Sequence, residues 1–240
     1  MAPVLGMPEV GAGDRVGELI AARTELADGD VVVISQKIVS KAEGRVRRLA
    51  AEIPGAEARK LAAVLGKEPA LVELILEESA AVLRAERGVL IVETKHGFVC
   101  ANAGIDSSNL PEEGTVALLP EDPDGSARRI RDEIAAVVAG VVISDSFGRA
   151  WRLGQSEVAI GCAGLVPLDD WRGRRDAGGR ELEATLIAVA DEAAAAADLV
   201  RDKASGVPVA VVRGLDRYVT AEDGPGAAAL RRPPDEDLFR

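Results

Sequence analysis

The sequence predicts an α+β fold. Two apolar runs, Val31–Ser35 and residues 137–143, have the β-branched composition of buried strands. Residues 88–94 and 97–101 have the pattern of a hairpin, whereas Ala56–Leu65 has the spacing of a helix. Because hairpins and helices do not alternate cleanly, an α+β arrangement fits better than a doubly wound sheet. The 240 residues are enough for one domain with a full core.

The other elements follow from caps, turns and spacing. Asp14 can cap a helix that continues to about Thr24. The Ala- and Glu-rich stretch 179–203 is the clearest predicted helix, and the tail from about residue 220 is rich in Gly, Pro and charge, which predicts loose order. The remaining predicted elements are helices at 70–83 and 126–138 and strands at 116–119, 139–144, 158–160 and 208–213.

Composition excludes several classes of function. The net charge of −11 argues against a nucleic-acid partner, which needs a basic face. One histidine and two distant cysteines argue against a zinc site, so any metal ligands would be oxygens, which favours Mg²⁺ or Mn²⁺. No apolar run is long enough to span a bilayer and the N-terminus lacks signal-peptide features, so we expect a cytoplasmic protein without a membrane partner.

Two oxygen-rich loops follow apolar runs. Residues 101–109 contain Asp106 and Asn109, and residues 144–149 contain Asp145 and Ser146. Such loops at strand ends are typical of a site for a hard metal and a phosphate, with Asp106 and Asp145 each offering a carboxylate. The alternative is that both acids cap helices or close turns.

Basic residues provide candidate anion contacts. Lys41 and Arg45 lie in a segment, residues 35–45, that holds three cations and two hydroxyls after the first strand; it could instead be an exposed charged helix. No Walker A sequence is present, so a nucleotide would be held by a less common cradle. The arginines that could bind an anionic substrate, or only balance surface charge, are Arg149, Arg152, Arg174 and Arg175.

Taken together, four segments resemble one known family, the coenzyme F420 γ-glutamyl ligases. They are residues 29–45, residues 102–109, residues 144–149 and the stretch from Ala190 to Gly214. Each motif is weak alone, but they occur in the right order along nearly the whole chain.

The resemblance implies a fold, an activity and cofactors. The implied fold is the CofE-like one, two interleaved α+β subdomains in an intertwined homodimer. The implied activity is GTP-dependent addition of L-glutamate to F420-0, followed by extension of a γ-linked polyglutamate tail through an acyl phosphate. The implied ions are Mg²⁺ or Mn²⁺ together with K⁺. Residues 1–240 would form a single ligase domain, without the nitroreductase-like domain that some relatives carry.

The resemblance also assigns roles to residues. Asp106 and Asp145 would hold one divalent metal, Ser146 would help to hold a second, and Lys41 would assist Asp106 and Asp145 in catalysis. Lys203 stands where some members carry an acidic metal ligand. The residues implied to contact the nucleotide are Met7, Pro8, Glu9, Val10, Gln36, Lys37, Lys41, Asn109, Lys203, Ala204, Ser205 and Gly206.

Three other functions remain open from the sequence. A non-catalytic nucleotide- or deazaflavin-binding homologue would bind without releasing GDP. A related amide ligase would act on a different phosphorylated acid. A metal-dependent phosphatase would hydrolyse GTP without any acceptor.

Overall fold

The computed structural model describes residues 1–110, 112–134, 137–201 and 204–238. Short 3₁₀ turns supplement its helices and strands. The helices are α1 (Val16–Ala21), α2 (Gln36–Ala42), α3 (Ala56–Leu65), α4 (Pro69–Glu77), α5 (Pro123–Ile134) and α6 (Val189–Asp198). The strands are β1 (Ala2–Pro3), β2 (Val31–Ser35), β3 (Val46–Arg48), β4 (Ser79–Glu86), β5 (Val89–Thr94), β6 (Val99–Ala101), β7 (Thr115–Ala117), β8 (Gly140–Arg149), β9 (Arg152–Ala163), β10 (Asp169–Asp170), β11 (Leu186–Ile187) and β12 (Val209–Val212).

A five-stranded mixed sheet forms the centre of the molecule, in the order β1-β12-β2-β8-β9. β2 and β8 are parallel, and the other neighbouring pairs are antiparallel. Helices cover both faces of this sheet. On β2, Val32 and Ile34 pack in the cluster that includes α1, α2 and α5, whereas Val31 and Val33 pack in the cluster that includes α6. The sequence of β2 is an unbroken apolar run because the strand is buried on both faces.

A smaller α+β unit packs beside the central sheet. It consists of the antiparallel sheet β4-β5-β6 with α3 and α4, and its core includes Ala58, Ala62, Ile75, Leu90 and Val92. The two-stranded sheet β3-β7 connects it to the rest, because Val116 packs against Leu74 of α4. The α+β prediction is therefore confirmed. No helix among the described residues is long and apolar enough to cross a membrane.

Two predicted helices include residues that form strands. The helix predicted at 70–83 ends at Glu77, and the following residues form strand β4, in which Val82 lies opposite Val92 of β5. Pairing with β5 overrides the modest helical preference of this segment. The helix predicted at 179–203 is α6 alone, because Leu186 and Ile187 pair with β10.

Other boundaries also differ from prediction. Asp14 does not cap α1; its carboxylate accepts a hydrogen bond from the Gly11 N–H at 2.8 Å, and the helix starts at Val16. The strand predicted at 158–160 is the twelve-residue β9. The tail, expected to be loosely ordered from about residue 220, contains the 3₁₀ helix Ala227–Leu230, in which Ala227 is buried.

The fold brings the ends of β2 and β12 and the middle of β8 together at one edge of the central sheet. Residues 144–149, which were predicted to form an oxygen-rich loop, belong to β8 because they pair with β9. Ser35 pairs with Ser144 where the parallel strands β2 and β8 run side by side. The Ser35 N–H also donates to the Pro208 carbonyl at 2.8 Å, so the segment that leads into antiparallel β12 reaches the same edge. This is the edge at which ligands bind in sheets with neighbouring parallel strands.

Candidate active site

A cavity of about 400 Å³ opens at this edge of the sheet. It is bounded by the N-terminal segment, by the end of β2, by the middle of β8, by the 102–109 loop and by residues before β12. The residues that line it are Met7, Pro8, Glu9, Val10, Ser35, Gln36, Lys37, Ile38, Lys41, Asp106, Ser108, Asn109, Asp145, Ser146, Glu157, Asp198, Arg201, Gly206, Val207 and Pro208.

The 102–109 loop is held at the cavity by its backbone. Asp106 and Ala117 exchange two backbone hydrogen bonds, of 3.1 and 2.8 Å, so the loop is paired with the end of β7. Asp106 Oδ1 accepts the Ser108 N–H at 2.6 Å, an Asx turn that fixes the carboxylate. Ser108, which had no role assigned from the sequence, thus shapes the turn and also accepts a 2.7 Å hydrogen bond from Lys37 Nζ.

Lys37 joins this loop to the start of α2. Its ammonium lies 2.9 Å from Asp106 Oδ2. Although burial alone would raise it, hydrogen bonds from Lys37 and Ser108 hold the pKa of Asp106 below its usual value. Asp106 is therefore a carboxylate at neutral pH, in contact with a cation.

Asp145 has the opposite surroundings. Burial raises its pKa from 3.8 to about 7, and the neighbouring carboxylates of Glu157 and Asp106 act in the same direction. The Ser146 N–H and the charge of Lys37 oppose this shift only in part. Several carboxylates with too little compensating positive charge are the arrangement that a bound cation would stabilise.

Lys41 connects two other parts of the cavity wall. Its ammonium is buried, lies 2.6 Å from Glu9 Oε1 and donates to the Asn109 carbonyl at 3.1 Å. The chain at Asn109 has a φ of 55°, a left-handed conformation that asparagine tolerates. Gln36 is fully buried and its side chain accepts the Ser40 hydroxyl at 2.8 Å.

Sequence reasoning missed a buried ion pair at the base of the cavity. Arg201 Nη2 lies 3.0 Å from Glu157 Oε2, and both side chains are at most 7% exposed. Glu157 lies on β9, one residue before the strand predicted from sequence, and Arg201 follows an acidic, Ala-rich helix. The sequence signal for Glu157 was a single charged residue directly before an apolar strand, because a charge buried there needs a partner.

Not every predicted residue lines the cavity. Gly206 does, but Ala204 and Ser205 are exposed beside it, and Lys203 lies outside the described residues. The four candidate arginines do not line it either. Arg149 binds the Leu153 and Gly154 carbonyls, Arg174 pairs with Asp169 at 3.2 Å, Arg175 binds the Gly179 carbonyl, and Arg152 is exposed.

The donor set fits a hard divalent cation that shares its ligands with a substrate. Asp106, Asp145 and Ser146 offer only oxygens, and among the described residues no three His, Cys, Asp or Glu side chains form a metal cluster. Mg²⁺ is usually bound through one or two carboxylates, with phosphates and waters completing its shell, so the residues present are sufficient for it.

Comparison with known proteins agrees with the resemblance. The family model F420-0:Gamma-glutamyl ligase matches residues 5–214. Three similar proteins are each named coenzyme F420:L-glutamate ligase. The one from Methanothermobacter thermautotrophicus is 47% identical over 99% of this chain and 97% of its own length. Those from Archaeoglobus fulgidus and Methanocaldococcus jannaschii are 44% and 41% identical, over 99% and 98% of this chain and 95% of their own lengths. With this family match and the oxygen-lined cavity at the sheet edge, the chain belongs to the F420-0:γ-glutamyl ligase family.

Proposed function

We propose that this protein is a GTP-dependent ligase that joins L-glutamate to coenzyme F420-0 and then extends a γ-linked polyglutamate tail. The observation that carries the proposal is the cavity itself. It gathers Asp106, Asp145, Lys37 and Lys41 from three separate stretches of the chain at one sheet edge. The family membership supplies the substrates, since the relatives are named for F420 and L-glutamate.

The nucleotide occupies the side of the cavity between the N-terminal segment and the residues before β12. Glu9 and Gly206 line this side, with Lys41 and Asn109 between them and Asp106. The ammonium groups of Lys37 and Lys41 then face the phosphates. Because the chain carries a net charge of −11, these local cations have to offset both the phosphates and the surrounding carboxylates.

The chemistry is phosphoryl transfer followed by amide formation. A carboxylate oxygen of F420-0 attacks the γ-phosphorus of GTP, the bond to the β-phosphate oxygen breaks, and GDP leaves. The glutamate amine then attacks the acyl carbon of the acyl phosphate, phosphate departs with the bonding electrons, and the nitrogen loses a proton. Each step depends on alignment and charge stabilisation rather than on a covalent bond to the protein.

The residues of the chain divide this work between them. Asp106 and Asp145 hold a divalent cation, Mg²⁺ or Mn²⁺, with Ser146 beside them, and Lys37 and Lys41 orient the phosphates. When bound, the cation neutralises charge on the phosphates. A monovalent K⁺ completes the ionic requirement implied by the family. Partial burial of Asp145 limits access of water, which protects an acyl phosphate from hydrolysis.

We also propose that residues 1–240 act as one ligase domain and assemble as an intertwined homodimer. Large apolar side chains at the β8–β9 turn support this assembly. Trp151 is 82% exposed and Leu153 is 98% exposed. Exposure of such large apolar side chains does not stabilise a monomer and is typical of a surface that a partner covers. Sedimentation equilibrium is expected to give twice the mass of the chain, and a single-chain mass at all concentrations would contradict the dimer.

The ligase proposal is tested by mass spectrometry. Protein is mixed with F420-0, L-glutamate, GTP and Mn²⁺, and the deazaflavin products are weighed. We expect mass increases of one glutamate residue at a time, with one GDP formed for each glutamate added. Omission of GTP or of the metal should abolish both signals.

Matched controls separate the alternatives. GDP release without F420-0 or glutamate, at the rate of the full mixture, would identify a phosphatase. Binding of GTP without GDP release would identify a non-catalytic homologue. Glutamate addition to another phosphorylated acid, but not to F420-0, would identify a related ligase with a different substrate.

A further inference from the structure

We propose that the buried Glu157–Arg201 pair is a positioning device that directs the hydroxyl oxygen of Ser146 towards the metal and holds Pro208, at the end of residues 204–208, against the cavity. The inference rests on the proposed function, because it assumes that Ser146 helps to hold a divalent cation. The family resemblance implies that the segment from Arg201 to Pro208 contacts the nucleotide, but it gives no role to Glu157 or to the pair.

The Glu157 carboxylate holds two serines of β8. Its Oε1 accepts the hydroxyl of Ser146, and its Oε2 accepts the hydroxyl of Ser144 at 2.6 Å. A serine hydroxyl has one proton and two lone pairs. A Ser146 hydroxyl that donates its proton to Glu157 acts towards other groups only as an acceptor, and that is how it would meet a cation. A glutamine at position 157 offers one acceptor oxygen in place of two, so it cannot hold both serine hydroxyls as the carboxylate does.

Arg201 balances the charge of Glu157 and extends the network. Its Nη2 donates to Glu157 Oε2 at 3.0 Å and to Ser144 Oγ at 3.1 Å. Its Nη1 donates to the Pro208 carbonyl at 3.4 Å. The guanidinium thus connects Pro208, which precedes β12, to Ser144 of β8 and Glu157 of β9.

Stability alone is a poor reason for burying these charges. The side chains of Arg201 and Glu157 are 6% and 7% exposed, so both lose most of their hydration on folding. Well-packed apolar residues often stabilise such a position as well or better. Both side chains also line the cavity, and Gly206 of the connected loop lines it too. The location therefore points to a role in orienting ligands.

The pair provides one rigid support for two functions. Through Ser146 it reaches the proposed metal, and through Pro208 it reaches the proposed nucleotide side of the cavity. Groups that orient the direct ligands of a metal commonly change its affinity by about ten- to a hundredfold when removed. We expect an effect of this size from the loss of the Glu157 charge.

The test is Mn²⁺ binding in the presence of GDP, followed by electron paramagnetic resonance. Glu157→Gln should raise the Mn²⁺ dissociation constant by about ten- to a hundredfold. Glu78→Gln is the matched control, because Glu78 pairs with Arg45 at 2.7 Å, is 14% exposed and does not line the cavity. It should leave the Mn²⁺ dissociation constant at the wild-type value, even if its melting temperature falls. Unchanged Mn²⁺ binding by Glu157→Gln would overturn the proposal.

A double-mutant cycle shows whether Glu157 acts through Ser146. In the Ser146→Ala background, Glu157→Gln should add less than about twofold to the dissociation constant, because the hydroxyl that it orients is gone. Full additivity of the two changes would overturn this route. If Glu157→Gln fails to fold, Glu157→Gln/Arg201→Gln removes both charges together. That variant is expected to fold and still to bind Mn²⁺ weakly, and wild-type affinity in it would overturn the proposal.

This measurement is independent of the ligase reaction. Wild-type protein that binds Mn²⁺ with GDP but adds no glutamate to F420-0 would refute the proposed function, and the effect of Glu157→Gln would still decide the inference. Wild-type protein that binds no Mn²⁺ with GDP would overturn the inference directly.

Discussion

Asp106 and Asp145 line the same cavity, but their surroundings shift the pKa values of the two carboxyl groups in opposite directions. Asp106 receives hydrogen bonds from Lys37 and from the Ser108 N–H, and its pKa is lowered. Burial raises the pKa of Asp145 to about 7, with Glu157 and Asp106 adding to the effect. The unfolded chain would ionise Asp145 near 3.8, so the folded state binds more protons between these two pH values. In the metal-free protein, Asp145 therefore lowers the free energy of unfolding as pH rises from about 4 to about 7.

Asp145→Asn tests whether ionisation of Asp145 lowers the stability of the metal-free protein as pH rises. In the metal-free protein the variant should match the wild type near pH 4 and be more stable at pH 8, by on the order of 2 kcal/mol, because no charge has to be buried. Urea unfolding in EDTA at pH 4, 6 and 8 measures the difference, with the exposed Asp132→Asn as control. A difference independent of pH would contradict the account. The same variant should lose most glutamate ligation.

Lys41 is expected to act on the nucleotide. Lys41→Met removes a buried ammonium that holds Glu9 and the Asn109 carbonyl at 2.6 and 3.1 Å. Loss of one charge-assisted contact of this kind costs about 1.5–3 kcal/mol, so we expect the GDP dissociation constant to rise about tenfold or more. Calorimetric titration with GDP and Mn²⁺ measures it. Lys60→Met changes an exposed lysine of α3 and should have no effect; equal losses in the two variants would remove Lys41 from the site.

Among the elements, α5 and the tail are joined by one side chain. Asp124, in the first turn of α5, accepts the backbone N–H groups of Cys162, Ala227 and Ala228 at 2.8, 2.7 and 3.3 Å. This cluster connects the helix, β9 and the 3₁₀ helix Ala227–Leu230. It explains why a Gly- and Pro-rich tail packs on the sheet.

Asp124→Ala is expected to loosen this tail. It leaves the three N–H groups without that acceptor, which should cost about 1–3 kcal/mol of unfolding free energy. Hydrogen exchange followed by mass spectrometry should show faster exchange in residues 220–231. Asp122→Ala, which removes the acceptor for the Gly125 N–H and a 3.9 Å ion pair with Arg128, is the control and should not affect that segment. Unchanged exchange in the tail of Asp124→Ala would contradict the assignment.

Helices and strands with a strong local sequence pattern were predictable from the sequence. Strands that form because they pair with a distant strand were not. Val31–Ser35 and Ala56–Leu65 match their predicted bounds because burial on both faces and helical spacing are visible locally. Residues 79–83 were predicted as the end of a helix, since the pairing of β4 with β5 is not local information. The family resemblance implied that Asp106 and Asp145 hold one metal, and both line the cavity. The Glu157–Arg201 pair joins residues 44 positions apart, and no local pattern predicts it.

For the whole molecule, the central sheet places two lysines beside carboxylates in an acidic chain. Lys37 and Lys41 come from one helix, α2, while Asp106 and Asp145 come from a loop and a strand that meet at the sheet edge. A mixed sheet with β2 and β8 parallel makes this meeting possible. The account accordingly assigns binding, alignment and charge stabilisation of two anionic substrates to a single cavity.

The most direct test of a ligase that works through an acyl phosphate is oxygen transfer. F420-0 labelled with ¹⁸O in its carboxylate is incubated with the protein, GTP, L-glutamate and Mn²⁺, and the released phosphate is weighed. We predict one ¹⁸O in the phosphate released with the first glutamate, together with one GDP, because the attacking carboxylate oxygen leaves with the phosphate. Phosphate from later additions carries no ¹⁸O, since the γ-carboxylate that is then activated comes from unlabelled glutamate. A first glutamate added without ¹⁸O in the phosphate, or without GDP, would contradict this mechanism.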